Sequence, residues 1–98
     1  MRIVWASETK DDFARFHDFL NPLNADAALR AVHAIRDGVL VLSDSPTRGR
    51  PMNDGTERRE LFIRFGQRGY VLRYKVDKAA GLVRILRIWH SLEDREGQ

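Results

Sequence analysis

The apolar and polar positions in the first part of the chain predict one short strand and two helices. Residues 2–5 are mostly β-branched or aromatic, which is typical of a strand. From Glu8 to about Leu20, and again from Asn24 to about Leu42, apolar side chains recur every three or four positions, so two amphipathic helices are expected. Asp11 and Asp12 lie near the start of the first helix, where the helix dipole favours negative charge. Asn24 is the expected N-terminal cap of the second helix. The short link between the helices makes them antiparallel neighbours.

The second part of the chain predicts a loop and three strands. Residues 44–56 contain two prolines, two glycines and an Asn-Asp-Gly turn signal, so they are expected to form a loop. Three runs of β-forming residues follow, over residues 59–65, 70–76 and 82–89. Short segments that contain glycine separate these runs, which predicts an antiparallel meander.

Alternation along these runs assigns side chains to the two faces of a sheet. In the run 70–76, Tyr70, Leu72 and Tyr74 share one face. We therefore expect an α+β fold with element order βααβββ, in which the helical hairpin packs on one face of an antiparallel sheet. The opposite face is left open to solvent and is the expected binding surface. The side chains predicted on this open face are Phe62, Arg64, Val71, Arg73 and Lys75.

Composition restricts the class of protein. With 98 residues, 43% of them hydrophobic and 32% charged, the chain predicts a single globular domain over residues 1–98. Both tryptophans, Trp5 and Trp89, are expected in its core. The chain has no cysteine and only three scattered histidines, so we expect no metal, disulfide or cofactor site. No apolar run approaches the roughly 18 residues that span a bilayer, and a cytoplasmic protein without a membrane partner is expected.

Charge is distributed unevenly along the chain. Residues 1–45 carry 5 basic and 7 acidic side chains, whereas residues 46–98 carry 12 basic and 7 acidic ones, a net charge of +5 for the second part. This favours a polyanionic partner, either nucleic acid or an acidic protein segment, over the simpler alternative of a solvated face without a partner. The side chains predicted to make this contact are Arg48, Arg50, Arg58, Arg59, Arg64 and Lys75.

Several strings of this sequence, in their order and spacing, resemble the RelE/ParE superfamily of toxins. The opening strand and first helix of that family are similar to RIVWASETKDDFARFHDFL, and the loop after its helices is similar to SPTRGRP. Its C-terminal half is similar to RRELFIRFGQRGYVLRYKV followed by VRILRIWHSLEDR. The resemblance covers nearly the whole chain and implies the toxin of a type II toxin–antitoxin system, associated with plasmid stabilisation. It also implies a cognate antitoxin that wraps and neutralises the toxin in a hetero-oligomer.

The resemblance leaves two targets open. ParE-like members bind and poison DNA gyrase, whereas RelE-like members cut mRNA in the ribosomal A site without a metal ion. The ending IWHSLEDR looks closer to ParE-like members, and no tyrosine follows Tyr74, so we expect a gyrase inhibitor that acts by binding. The alternatives are an mRNA endonuclease and a remnant that only binds its antitoxin.

If the chain is a ribonuclease, its catalytic residues are expected in the last three strands. Cleavage needs a base for the 2′-hydroxyl, an acid for the 5′-oxygen and cations that stabilise the phosphorane. His90 is the candidate acid and Glu60 the candidate base, with Arg73 and Arg87 as phosphate clamps. The structural alternatives are a strand-end histidine bonded to the backbone, and arginines paired with carboxylates such as Glu60 or Glu93.

Overall fold

The computed structural model describes residues 1–20 and 25–93 of the chain. Its elements, in chain order, are β1 (Arg2–Trp5), α1 (Glu8–Leu20), α2 (Ala25–Asp44), β2 (Arg50–Pro51), β3 (Arg58–Phe65), β4 (Arg68–Asp77) and β5 (Leu82–His90). The predicted α+β architecture, two helices packed on one sheet, is confirmed. The two-residue strand β2 lies in the segment that was expected to be loop. Asn24, the predicted cap of α2, lies outside the described residues.

The five strands form one sheet in the order β1-β5-β4-β3-β2. Strands β3, β4 and β5 are the predicted antiparallel meander, and β2 pairs antiparallel with β3. The prediction of a fully antiparallel sheet is wrong for β1, which pairs parallel with β5. Helix α2 brings the chain back to the start of β1, where the carbonyl of Ser43 accepts a hydrogen bond from the Met1 amino group at 2.8 Å. Strand β3 therefore runs in the same direction as β1. The two hairpins that follow reverse the chain twice, so β5 has that direction again.

The hydrophobic core lies between the two helices and one face of the sheet. Phe16 of α1 and Ile35 of α2 reach it from the helical side. On β3, Ile63 is buried whereas Phe62 is 55% exposed, so the predicted assignment of faces is confirmed there. The buried side chains that β4 contributes are those predicted: Tyr70, Leu72 and Tyr74.

Strand β5 contains one residue more than its pairing with β4 requires. The register shifts at Leu86, which has no partner on β4. A bulge of this kind reverses which residues face the core. Ile85 and Ile88 are therefore both fully buried although three residues apart, and Trp89 lies on the open face.

The two tryptophans have different surroundings. Trp89 is buried, with 4% of its surface exposed, whereas Trp5 is 39% exposed, so the prediction of a core position is wrong for Trp5. Trp5 ends β1 at the edge of the sheet, where its ring meets that of Phe13 at 5.7 Å between centroids. A ring on an edge strand is covered from one side only, which explains the exposure.

Two glycines allow close contacts that bring the helices and the loop onto the sheet. A Cβ on Gly38 would lie 2.6 Å from Cδ1 of Ile63, so this glycine lets α2 approach β3. A Cβ on Gly49 would lie 2.6 Å from the Tyr74 hydroxyl oxygen. That hydroxyl accepts a hydrogen bond from the Gly49 N–H and donates one to the carbonyl of Pro46, each at 2.8 Å. The loop after α2 is thereby fixed to a buried side chain of β4.

Candidate functional site on the open face of the sheet

Strand register arranges the open face into three rows that cross the sheet. Residues that lie directly opposite each other on neighbouring strands point to the same face, so the pairing defines each row. We call these rows the basic row (Arg58, Lys75 and Arg84), the ionic row (Arg50, Glu60, Arg73 and Arg87) and the aromatic row (Phe62, Val71 and Trp89).

An ion pair between Arg73 and Glu60 lies at the centre of the ionic row. The Nε and Nη2 atoms of Arg73 donate to Oε2 of Glu60 at 3.0 and 2.7 Å. Arg73 is only 4% exposed, and a guanidinium buried to this extent is stable only when it is paired. Arg73 therefore forms the ion pair with Glu60 that the sequence left open as the alternative to a phosphate clamp.

The ionic and aromatic rows pack against each other through Trp89. The guanidinium groups of Arg73 and Arg87 lie over its indole ring, 4.8 and 5.0 Å from the ring centroid. Each such contact contributes about 0.5–2 kcal/mol, depending on how far water is excluded. The arginines cover the indole on a face without helices, and this explains why Trp89 is buried there.

Helix α1 joins the ionic row through Asp12, which is fully buried. Its carboxylate accepts hydrogen bonds from Nε and Nη2 of Arg87 at 3.1 and 3.0 Å, and from Nη1 of Arg15 at 2.9 Å. It also accepts the backbone N–H of Ile88 at 2.9 Å. Since the pairing of β1 with β5 ends at Trp5, this N–H lies on a stretch of β5 that β1 does not reach. Asp12 thus provides the acceptor that a longer β1 would provide.

Arg15 fixes the turn that follows β5. Its Nε and Nη2 atoms donate to the two carboxylate oxygens of Glu93 at 2.6 and 3.1 Å, and Nη2 also donates to the carbonyl of Ile88 at 3.0 Å. Glu93 in turn accepts the backbone N–H of His90 at 2.8 Å. Residues 90–93 are therefore held against α1 by charged hydrogen bonds.

His90 lies on the helix side of the sheet. It pairs directly with Tyr70, and the two rings meet edge to face with 5.4 Å between centroids. The Nδ1 atom of His90 accepts the backbone N–H of Leu92 at 3.2 Å, which is the structural alternative considered for this histidine. The other three candidate catalytic residues lie together on the open face: Glu60, Arg73 and Arg87.

These ion pairs also determine how their members titrate. Burial alone would raise the pKa of Asp12, but hydrogen bonds from Arg87, the Ile88 N–H and Arg15 outweigh it and hold the pKa below the ordinary 3.8. The hydrogen bond to Asp12 raises the pKa of Arg87. Burial lowers the pKa of Arg15, but Glu93 and Asp12 raise it by more. All three side chains are therefore charged at neutral pH.

The six basic residues predicted to contact a partner differ in their surroundings. Arg58 donates to Asp54 at 3.1 Å, and Arg59 donates to the carbonyls of Thr47 and Gly49 at 3.1 and 2.8 Å. These two arginines stabilise the loop that precedes β3. The other four are exposed: Arg48, Arg50, Arg64 and Lys75.

A groove of about 930 Å³ lies at the end of the sheet that carries the basic row. The loop after α2 contributes Pro46 and Pro51, and the turn between β4 and β5 contributes Asp77. We call it the basic groove, because its positively charged lining side chains are Arg58, Arg59, Lys75, Lys78 and Arg84.

Sequence reasoning did not identify three residues of this site. Asp12 was assigned to the helix dipole, although it lies in contact with β5. No local sequence pattern indicated the role of Arg15, because its partner Glu93 is 78 positions away. Arg84 interrupts the apolar run of β5, which is a sequence pattern that could have indicated it. Its pairing with Lys75 places it in the basic row.

Among residues 1–20 and 25–93, no group of three or more histidine, aspartate or glutamate side chains is placed to hold a metal ion. No helix in these same ranges is long and apolar enough to cross a membrane.

Comparison with known proteins places this geometry in a known group. The family model described as the ParE toxin of the type II toxin–antitoxin system parDE matches residues 3–95. A curated relative, Toxin RelE1 of Caulobacter vibrioides, is 37% identical over 93 residues, which cover 95% of this chain and 96% of that protein. A solved structure titled as a chromosomal ParDE TA system from P. aeruginosa superposes with a TM-score of 0.74 at 24% identity, over 92% of this chain and 95% of that chain.

Proposed function

The chain belongs to the ParE toxin family of type II toxin–antitoxin systems, and from this premise we propose that it acts in the cytoplasm by binding DNA gyrase and that a cognate antitoxin neutralises it. In this proposal the toxin inhibits its target through a contact surface and performs no chemical step. The toxin and antitoxin form a hetero-oligomer, for which the similar structure, a chromosomal ParDE TA system, gives the precedent.

The separation of His90 from Glu60 carries the proposal of a binding mechanism. A metal-free ribonuclease needs an acid and a base that reach the same phosphodiester group. His90 lies on the helix side of the sheet, where Tyr70 and the Leu92 N–H engage its ring. Glu60 lies on the opposite face, and its carboxylate is paired with Arg73. This arrangement favours a surface over a catalytic centre.

An mRNA endonuclease is the second candidate, and one observation favours it. The curated relative at 37% identity carries the name Toxin RelE1, and RelE-like members were the source of the ribonuclease alternative. In that mechanism Arg73 and Arg87 would hold a phosphate, but Nε and Nη2 of each already donate to the carboxylates of Glu60 and Asp12. These ion pairs, at 2.7 and 3.0 Å, neutralise charge that a phosphate clamp needs, and this is an argument against the alternative.

Two assays with purified protein distinguish the candidates. We expect wild-type toxin to block supercoiling by gyrase and to leave ribosome-bound mRNA uncut. The variant His90→Ala should keep its inhibition of gyrase, because most single contacts at a binding surface contribute less than about 2 kcal/mol. The matched control is Arg68→Ala, which changes an exposed residue at the start of β4.

Cleavage of mRNA that depends on His90 would be the opposite result. For a general acid, His90→Ala would lower the cleavage rate by about 10² to 10⁴. Cleavage of A-site mRNA by the wild type that disappears in His90→Ala would therefore overturn the gyrase proposal in favour of the endonuclease. Antitoxin binding without either activity would identify the chain as a remnant that only binds its antitoxin.

A further inference from the structure

Strand β1 has backbone hydrogen-bonding groups on its outer side. The N–H groups of Arg2 and Ala6 donate to β5, at 3.2 and 2.8 Å. Because successive residues of a strand alternate in direction, Val4 also bonds to β5, whereas the N–H and C=O groups of Ile3 and Trp5 point away from the sheet. In the part of the chain that the structure describes, no further strand pairs with β1 on that side. Ile3 and Trp5 therefore offer two donors and two acceptors to a second strand.

The side of the sheet next to these residues is closed both before and after them. The hydroxyl of Ser43 donates to the carbonyl of Met1 at 2.8 Å. On the stretch of β5 beyond β1, Asp12 accepts the N–H of Ile88 at 2.9 Å. The positions open to pairing are therefore limited to residues 3–5, which we call the β1 edge.

We propose that the β1 edge pairs with the β1 edge of a second copy of this chain, antiparallel and about a two-fold axis perpendicular to the sheet. Val4 then lies opposite Val4 of the second copy, and Ile3 lies opposite Trp5 of that copy. Such opposite residues exchange both of their N–H···O=C hydrogen bonds, so the outward groups of both copies are all paired. The pairing joins the two five-stranded sheets into one, with the helices of both copies on the same side.

Neighbouring backbone contacts favour this register over the other symmetric ones. With Ile3 opposite Ile3, Trp5 would face Met1 of the second copy, whose carbonyl is already taken by Ser43. With Trp5 opposite Trp5, Ile3 would face Ser7, whose carbonyl accepts a hydrogen bond from the N–H of Lys10 at 3.1 Å. The register centred on Val4 is the one that uses both outward residues of each copy.

The side chains of the β1 edge also complement a second copy. Trp5 is 39% exposed and Ile3 is half-buried, and both lie on the helix side, so the pairing covers apolar surface of each with the other. Arg2 is exposed and would lie opposite Ala6 of the second copy, two residues from the exposed Glu8. Opposite charges at this distance favour the antiparallel arrangement. Because the contact is small, we expect a dissociation constant in the micromolar to millimolar range.

A cysteine at position 4 tests the pairing directly. The chain has no cysteine, so Val4→Cys introduces one thiol per copy. In the proposed register the two Cα atoms at position 4 lie about 4.5 Å apart, a separation that a disulfide can bridge. The matched control is Arg2→Cys on the same face of the same strand, for which the two Cα atoms would lie more than about 13 Å apart. With a mild oxidant, we expect Val4→Cys to form a covalent dimer on non-reducing gels and Arg2→Cys to remain monomeric.

Sedimentation equilibrium of the toxin alone tests the backbone bonds without a crosslink. Trp5→Pro removes an N–H that points away from β5, so the pairing of β1 with β5 is kept. Trp5→Val is the matched control, because it also removes the indole but keeps the N–H. We expect the dimer of Trp5→Pro to be at least about 10-fold weaker than that of Trp5→Val, since the change removes two hydrogen bonds per dimer. Thermal melts of the two variants show whether both are folded.

A charge exchange tests the register. Arg2→Glu and Glu8→Arg should each weaken the dimer about 3-fold or more at low salt, because each places like charges near one another across the axis. The double variant Arg2→Glu/Glu8→Arg should restore the affinity, and the single effects should shrink as salt is raised.

Three results would overturn the proposal. The first is a Val4→Cys protein that stays monomeric under oxidation or is crosslinked no better than Arg2→Cys. The second is equal dimerisation of Trp5→Pro and Trp5→Val, and the third is a charge exchange that restores nothing. The β1 edge would then be left for a strand of another protein. The proposal concerns the toxin alone, so its failure would leave the proposed function unchanged.

Discussion

Replacement of Asp12 by alanine should destabilise the domain far more than replacement of its exposed neighbour Asp11. The carboxylate is fully buried and accepts hydrogen bonds from Arg87, Arg15 and the backbone N–H of Ile88. Asp12→Ala removes all of these acceptors together. It leaves two cations and a backbone donor beside an apolar methyl group.

The magnitude follows from what remains unpaired. Removal of one partner from a buried ion pair costs about 3–5 kcal/mol. The side chains of Arg87 and Arg15 are 36% and 38% exposed, so water can reach them after the change, and the loss should lie near the lower end, about 3 kcal/mol. A domain of this length has a free energy of unfolding of roughly 5–15 kcal/mol. Asp12→Ala should therefore remove a substantial fraction of it.

Urea denaturation followed by circular dichroism measures this loss. With a slope of about 1–3 kcal/mol per molar urea, a change of about 3 kcal/mol moves the midpoint by 1 M or more. The matched control is Asp11→Ala, the exposed neighbour on the same turn, which should cost less than about 1 kcal/mol through the helix dipole. Asp12→Asn keeps an acceptor for the Ile88 N–H and should fall between the two.

One result would refute this reasoning. If Asp12→Ala unfolds within about 0.5 kcal/mol of Asp11→Ala, then the network between α1 and β5 does not stabilise the fold. The contacts seen for Asp12 would in that case be geometrically present but energetically neutral.

Further predictions concern acid stability, the loop and the core. Because the folded pKa of Asp12 lies below its ordinary 3.8, its contribution is complete above that pH and is lost as the pH falls through the folded pKa; acid unfolding should therefore be less steep in Asp12→Asn. Tyr74→Phe should cost about 1–3 kcal/mol in a thermal melt, because the Gly49 N–H loses its acceptor. Leu72→Asp should give no cooperative melt, since it buries an unpaired carboxylate. The Asp54 carboxyl should titrate near pH 2 by NMR, chiefly because Thr56 donates to it.

Alternation allowed the strand faces to be predicted from sequence. Tyr70, Leu72 and Tyr74 face the core as expected, and Phe62 is exposed, because β3 and β4 keep a regular register along their length. The helices were predictable for a similar reason, since an amphipathic pattern is local. The basic charge of the second part likewise indicated the open face, although Arg84 was not recognised as part of it.

Features that depend on distant contacts or on one extra residue were not predictable. The parallel pairing of β1 with β5 joins Arg2 to Leu82, and no local pattern encodes that contact. The bulge at Leu86 lies inside a run that is apolar on both sides, so the sequence there looks like a regular strand. For His90, the sequence indicated a strand end but not the face, because the bulge upstream reverses the alternation.

The contacts of α1 with the upper part of β5 also have a consequence for solubility. A strand edge with unpaired N–H and C=O groups is a template on which a second chain can add, and this is a common start of aggregation. Asp12 accepts the N–H of Ile88 and Arg15 donates to its carbonyl, so both backbone groups are occupied by charged side chains. On this stretch of β5, an approaching strand would have to displace two ion pairs before it could form its first hydrogen bond. A toxin freed from its antitoxin therefore stays protected at this edge against pairing with copies of itself.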